Sequence, residues 1–372
     1  VESYFARNAA VQQSPLPSDI SSLSVADAHG LVRRAKSALG KSTIVLGHHY
    51  QRDEVIDHAD ATGDSLKLAK IARDCGADNI IFCGVHFMAE TADILTGGER
   101  FVCLPDLGAG CDMADMAEVR DVTDAWNQAK EIGADRIIPV TYINSSAAIK
   151  SFVGRNGGLI CTSSNARAVL TWALETGRHV FFFPDQHLGR NIAKDLGLSP
   201  STDMLLWDPL KALGGHRAET ILSRKIWLWK GHCPVHALFT VQQVQKIRTE
   251  DPATKILVHP ECSMEIVDLS DLSGSTDFII KTVAAAPAGS RWAIGTEKHL
   301  VERLAKQHPE QSITSLNPFT CLCGTMNRIS IHNLAWSLSR LAFQGEKVNR
   351  ISVPTKIAAD SLLALNRMFE LS

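Results

Sequence analysis

Apolar positions along the chain follow two alternating rhythms. From Ser24 onward, Val25, Ala28, Leu31, Val32, Ala35 and Leu39 recur at helical spacing, with Ser24 placed as N-cap and Gly40 as stop. Short, solid apolar runs come next: Thr43–Leu46, Asn79–Phe82 and Phe101–Leu104. Between them lie helical patterns at about Leu66–Arg73 and at Phe87–Leu95. Strands alternating with helices predict βαβ units and a parallel sheet. Residues 1–22, with Pro15 and Pro17, read as an irregular arm.

The order then recurs twice. A helix over Val122–Ile132 leads to a strand Arg136–Val140 and on to Tyr142-Ile143-Asn144. A helix over Thr240–Thr249 leads to a strand Lys255–Val258 and on to His259-Pro260-Glu261. Each unit next offers a small-residue turn: Gly63-Asp64-Ser65, Thr162-Ser163-Ser164-Asn165, Gly274-Ser275-Thr276. These turns sit at unequal offsets, so the repeat is approximate. Each unit then has a strand running into an acidic residue (Asp106, Asp185, Glu297) and a cysteine near its end (Cys111, Cys233, Cys323). A repeat of this length is too long for a solenoid and predicts three similar three-layer α/β domains with short parallel sheets around a pseudo-threefold axis. The expected boundaries are an arm at 1–23 and repeats at 24–120, 121–239 and 240–372, the last with C-terminal helices. In open parallel sheets ligands lie beyond the carboxyl ends of the strands. His48, Tyr50, Tyr142, Asn144, His259 and Glu261 fall there, and three such ends facing one axis would share a pocket.

Composition narrows the function. Hydrophobic residues make up 45% and charged residues 21% of 372, an ordinary globular balance. A net charge of −2 leaves no basic excess to neutralise a phosphate backbone, so nucleic acid is not an expected partner. The apolar runs are strand-sized, so no membrane span is expected, and the first residues lack the apolar stretch of a secretory signal. Nine cysteines cannot all pair, and a chain this large needs no disulfide staples. A reducing, cytoplasmic setting follows, with some thiols as metal ligands and others, such as Cys75 and Cys83, as packing residues.

One cysteine per repeat lets three thiolates meet at an axis. Such a set suits an iron–sulfur cluster with one open iron, or zinc with an open site. Cys233 with His236 could also form half of a zinc site, although no second pair stands at zinc-finger spacing. The strand-end groups are proton carriers: His and Tyr, and a Glu whose basicity burial can tune. Ser and Thr hydroxyls with backbone N–H groups at helix starts suit carboxylate or phosphate. The pocket reads as one for a small, strongly anionic substrate beside a metal. Dinucleotide, P-loop, serine-hydrolase and zinc-protease motifs do not occur in the chain.

In combination, Gly47-His48-His49-Tyr50-Gln51, Gly63-Asp64-Ser65-Leu66, Tyr142-Ile143-Asn144, Cys161–Ala166, Pro184–Gly189, Trp229-x-Gly-x-Cys233, Val258–Cys262 and Gly274-Ser275-Thr276 resemble the quinolinate synthase family. The resemblance runs from about residue 30 to 345. It implies three α/β domains around a pseudo-threefold axis and one [4Fe–4S] cluster held by Cys111, Cys233 and Cys323, with Cys321 as runner-up for the third ligand. It implies condensation of iminoaspartate with dihydroxyacetone phosphate to quinolinate, with loss of phosphate and two waters, for NAD synthesis. The implied substrate residues are His48, Ser65, Tyr142, Ile143, Asn144, Ser163, His259, Pro260, Glu261, Ser275 and Thr276. Glu261, His259, Tyr50 and His48 are the implied catalytic groups. L-aspartate oxidase, as iminoaspartate source, and the iron–sulfur assembly machinery are the implied partners. The stretches 151–158 and 207–224 look like insertions. The rival expectations are a three-thiolate zinc hydrolase and a cluster-based redox sensor.

Overall fold

The computed structural model describes residues 13–319 and 322–371. Residues 1–12 of the expected arm and Cys321 lie outside the described residues. Where it is described, the arm is not wholly irregular: Ser18–Ser21 forms one helical turn. The helix expected from Ser24 runs over Val25–Leu39, with Ser24 Oγ accepting from the Asp27 N–H. It stops at Gly40, whose φ of 52° suits a residue without Cβ.

The protein is α/β, with three short sheets. The first contains β1 (Thr43–His48), β2 (Ala61–Gly63), β3 (Asn79–Cys83) and β4 (Phe101–Cys103). The second contains β5 (Ile137–Tyr142), β6 (Leu159–Cys161), β7 (His179–Phe183), β8 (Met204–Trp207) and β9 (Ile226–Trp229). The third contains β10 (Lys255–Val258), β11 (Leu272–Ser273), β12 (Arg291–Gly295) and β13 (Ser312–Ser315). A last strand, β14 (Arg350–Ile351), pairs antiparallel with β4, and all other pairings are parallel.

The repeat is visible in the strand orders: β2-β1-β3-β4, β6-β5-β7-β9 and β11-β10-β12-β13. In each sheet the first strand lies between the second and the third, with one further strand beyond. This order creates a switch point beside the first strand, where α/β sheets open a crevice. The stretch read as an insertion at 207–224 begins at the end of β8, which adds a strand outside β9. The stretch 151–158 lengthens the helix after β5 to Ala147–Arg155, against Asp53–Ile56 and Met264–Leu269 in the other sheets.

The chain divides into two compact units, 13–111 with 322–355, and 112–319 with 356–371. In the first, helix Val25–Leu39 packs on helix Ile331–Gln344 through buried Val32, Ala35, Leu334 and Leu338. In the second, Phe181, Phe183, Trp207, Trp227 and Trp229 form an aromatic cluster across the middle of its five-stranded sheet. The residues after 320 divide between the two units. Residues 322–355 join the first unit, whereas helix Thr355–Glu370 lies along Ala147–Arg155, where Ser361 donates to the Ala147 carbonyl at 3.0 Å.

Candidate active site

His48 and Tyr142 are not loop residues, as the apolar pattern alone suggested, but the last residues of β1 and β5. They remain paired, His48 with Gly63 and Tyr142 with Cys161. In the third sheet Val258 pairs with Ser273, which places His259 opposite Gly274. The strand ends 48, 142 and 259 are therefore equivalent, and so are Gly63, Cys161 and Gly274. Two residues further stand Ser65, Ser163 and Thr276. The turns are unequally spaced along the chain, yet they are equally placed relative to the paired strands. The longer helix after β5 hides this in the sequence.

The acidic series needs a correction. Asp185 and Glu297 follow the third strands β7 and β12, and each caps the next helix through its carboxylate. Asp106 follows β4, the fourth strand, and the residue equivalent to Asp185 in the first sheet is Val85, which makes no side-chain cap. Cys111, Cys233 and Cys323 all lie on the segment after the outer strand of the order above.

In the first unit, His48 is buried and its ring stands edge-on to Tyr50, with centroids 4.7 Å apart. The Tyr50 backbone N–H donates to His48 Nδ1 at 3.1 Å, which leaves Nε2 to carry the proton of the neutral ring. Gln51 and Arg52, next in sequence, donate to the carbonyls of Met326 and Asn327. These bonds hold the strand end against the segment behind Cys323. Arg328 reaches Asp106 at 3.4 Å, which ties that same segment to the loop carrying Cys111. Asp64 caps the helix that begins at Ser65.

In the second unit, the Glu261 backbone N–H donates to His259 Nδ1 at 3.3 Å, repeating the His48 arrangement. Both groups are buried. Glu261 accepts a hydrogen bond from Tyr142, and His236 Nδ1 lies 2.8 Å from its carboxylate without the alignment of a hydrogen bond. The other nitrogen of His236 lies 3.2 Å from the Thr296 hydroxyl, and its ring stacks on His259 with centroids 4.8 Å apart. Burial alone would push the Glu261 carboxyl up. The neighbouring His259 and His236 imidazoles, with the hydrogen bond from Tyr142, outweigh it and hold the group below the usual carboxylate range. Burial pushes His259 down to about 4, so it is neutral near pH 7. Asp185 is pushed well up, by burial first and then by the charge of Glu261. Asn144 Oδ1 is buried with no protein partner, an acceptor poised for a ligand. Ser275 caps helix Thr276–Ala284, and Thr276 is buried, whereas Ser163 lies in a half-exposed turn ahead of its helix. Ile143 and Pro260 continue the equivalent backbone. The Ile143 N–H donates to the Cys161 carbonyl as the His49 N–H does to Gly63, a bond that Pro260 cannot make.

The thiols fall into two classes. Cys83, Cys103, Cys161 and Cys262 are buried, and burial raises the first three, Cys103 to about 12. Thiols raised in this way are inert as nucleophiles near neutral pH. Cys111, Cys233 and Cys323 are half-exposed and sit on loops. Cys75 is also half-exposed, beside the Arg100 guanidinium, rather than packed in the core. Cys233, His236 and Glu261 bring one ligand atom each to within 4.8 Å of one another, a group able to hold a metal. His236 was visible in the sequence only as a possible partner of Cys233. Its tie to Glu261 spans two sheets and leaves no local signal.

Three parallel sheets with proton-carrying side chains at equivalent strand ends, and a buried carboxylate held by Tyr and His, define an α/β enzyme. Residues 31–370 match the family described as Quinolinate synthetase A protein, and the chain belongs to that family. It is 53% identical over 361 residues to a quinolinate synthase of Corynebacterium glutamicum, covering 96% of this chain and 91% of that protein. It is 52% identical over 358 residues to that of Anoxybacillus flavithermus, covering 96% and 97%. Against the Bacillus subtilis quinolinate synthase the identity is 51% over 362 residues, covering 96% of each. No helix among the described residues is long and apolar enough to cross a membrane.

Proposed function

We propose that the protein is a quinolinate synthase that condenses iminoaspartate with dihydroxyacetone phosphate, releasing phosphate and two waters, in NAD biosynthesis. The observation that carries this reading is the buried Tyr142–Glu261–His236 chain at the strand ends, beside Cys233. In this reading the three repeats face one axis, and Cys111, Cys233 and Cys323 hold a [4Fe–4S] cluster. One linkage within each unit bears on these loops. Asp106 and Arg328 join the loops of Cys111 and Cys323. Met116, five residues past Cys111, accepts from the Trp229 indole at 2.7 Å and from the His232 N–H at 3.4 Å, just before Cys233. The donor set, three half-exposed thiols on equivalent loops, fits such a cluster with one iron left open. When bound, it supplies a Lewis acid that polarises an oxygen of the condensing substrate.

The chain's own residues do the rest. Glu261 is an anion in the substrate-free protein, its charge favoured by the His259 and His236 imidazoles and by the hydrogen bond from Tyr142. A substrate hydroxyl or imine that takes over the Tyr142 hydroxyl removes that bond and makes Glu261 a stronger base for the tautomerisation and dehydration steps. His259, neutral with its proton on Nε2, and His48, whose Nε2 is likewise the nitrogen that does not accept the backbone N–H, donate to developing oxygen charge. Tyr50 stands edge-on to His48 and serves the same end of the substrate. Ser65, Ser163, Ser275 and Thr276 offer hydroxyls and helix N-termini to the carboxylates and the phosphate. Asn144 presents its orphaned acceptor to the substrate nitrogen. Holding both reactants together removes the entropy cost of encounter. The reading places the protein in the reducing cytoplasm, with L-aspartate oxidase supplying the imine and iron–sulfur assembly proteins loading the cluster.

The test is an anaerobic assay with iminoaspartate generated in place, reading out quinolinate. Failure of the fully iron-loaded protein to form it sinks the proposal. A second reading draws on the Cys233–His236–Glu261 group, a zinc-type donor set that would make the protein a zinc hydrolase. About four iron per chain and brown absorbance favour the cluster; colourless protein with one zinc favours the rival. Single replacement of Cys111, Cys233 or Cys323 by Ala removes the iron under the first reading, and replacement of Cys75 leaves it.

A further inference from the structure

Asn191 lies on helix Gln186–Asp195, which follows β7, and is buried. Its side-chain amide donates two hydrogen bonds, to the carbonyls of Pro260 and Cys262, each at 2.9 Å. Those carbonyls flank Glu261. The amide cannot be turned over, because that would set its oxygen against two carbonyl oxygens. Its own Oδ1 is buried with no partner. An unpaired buried amide oxygen is costly, so the two donated bonds are what a polar residue contributes at this position.

The helix around Asn191 is anchored on both sides. Asp185 caps its start, and a Cβ at Gly189 would meet Leu228 and Phe182 at 2.6 and 2.7 Å, so the helix lies tight on the second sheet. On the other side Lys194 pairs with Asp268 on helix Met264–Leu269. The helix is thus a strut between the sheet that ends in Tyr142 and the loop that carries Glu261. Tyr142 and Glu261 come from different sheets, and their hydrogen bond depends on that spacing.

We infer that Asn191 is a positioning residue that clamps the Pro260–Cys262 backbone so that the Glu261 carboxylate meets Tyr142 and His236. The inference rests on the reading of Glu261 as the base, and its test separates the two. In anaerobic steady-state assays Asn191→Ala lowers kcat by about 10²-fold, the cost of an ångström-scale misplacement. The KM for dihydroxyacetone phosphate and the iron content stay near wild type. Added to Glu261→Gln, the same change slows turnover by less than about twofold, since there is no longer a base to misplace. Hydrogen exchange at residues 259–262 becomes faster in Asn191→Ala, while exchange in β5 and β10 does not change. If Asn191→Ala does not fold, the smaller polar change Asn191→Ser carries the same comparisons. Wild-type kcat and exchange in the variant overturn the inference. So does an additive loss in the Glu261→Gln background, which would mark a general structural role. A wild-type protein that makes no quinolinate overturns the reading of function instead, and the exchange measurement still decides whether Asn191 clamps the loop.

Discussion

Gly231, in the Trp229-x-Gly-x-Cys233 motif, is the position where the smallest possible change has the most legible consequence. Its backbone runs against β7: its N–H donates to the Trp229 carbonyl at 2.8 Å, its carbonyl accepts from the Gln186 N–H at 3.0 Å, and it bridges to Asp185. A Cβ there would press on the Pro184 carbonyl oxygen inside the 3.0 Å that real Cβ atoms do not enter, and would lie 3.3 Å from Met116 Cβ. The obstacle is backbone, which cannot swing aside as a side-chain end can. Backing off to ordinary contact moves the Cys233 loop by about 1 Å, because the close-packed surroundings transmit strain rather than absorb it. Overpacking of this kind costs about 1–3 kcal/mol, and a unit of this size loses about 2–4 °C of Tm per kcal/mol. The same displacement moves His236, and with it the contact with Glu261, so turnover falls by about 10²-fold. Gly231→Ala, purified anaerobically, is assayed for melting temperature, iron per chain and quinolinate formation. Gly324→Ala is the control. It neighbours Cys323, yet a Cβ there meets nothing within 4 Å, and the variant keeps iron and rate. Gly231→Ala with the melting temperature, iron and rate of wild type would refute the reasoning.

Glu261→Gln keeps shape and iron but loses the base, and its turnover drops by about 10²-fold or more in the quinolinate assay. Tyr142→Phe removes the hydrogen bond that stabilises the Glu261 charge and the hydroxyl exchanged with substrate; kcat falls while the melting temperature changes by a few degrees. His179 is buried against Trp227 and is held below its usual 6.5 by that burial, as is His58. The unfolded chain therefore takes up these protons first, so stability is full above about pH 6.5 and falls as pH drops below it. Urea melts between pH 7 and 5 show a shallower fall in His179→Gln than in wild type if this is correct.

The element order was legible because each element has a local cause: solid apolar runs for buried strands, and for the first long helix Ser24 as its side-chain cap. His48 and Tyr142 were drawn outside their strands because their polarity ended the apolar pattern, yet backbone pairing, which does not depend on side-chain polarity, carries the strands two residues further. The equivalence of Ser65, Ser163 and Thr276 was blurred for a different reason. The chain length between paired strands differs with the helix that crosses them, and only register removes that length. The false member of the acidic series, Asp106, has the opposite cause: a strand followed by an acid looks the same whichever place the strand takes in the sheet. His236 and Asn191 were out of reach because their work is done on residues of another sheet. His236 pairs with Glu261 and Asn191 bonds to the carbonyls beside it, and no spacing along the chain encodes either.

The three sheets have diverged in the side chains they present at equivalent positions. Had each repeat kept an independent ligand site, each would need a full set of proton carrier, anchor and acid at its own switch point. Instead the set is divided. At the first position the sheets offer His48, Tyr142 and His259; two residues on, Tyr50, Asn144 and Glu261; after the third strand, Val85, Asp185 and Glu297. Val85 cannot bear charge or cap a helix, and Glu297 spends its carboxylate on the N–H groups of His299 and Leu300 and on the His299 ring. Asp185 alone of the three keeps a buried oxygen without a partner, and after burial it is the charge of Glu261, a residue of a different sheet, that raises its carboxyl. Groups that complete one another only across sheets are retained when the sheets act on one ligand together. Within the second unit two sheets do meet in this way, where Tyr142, Glu261 and His236 come together.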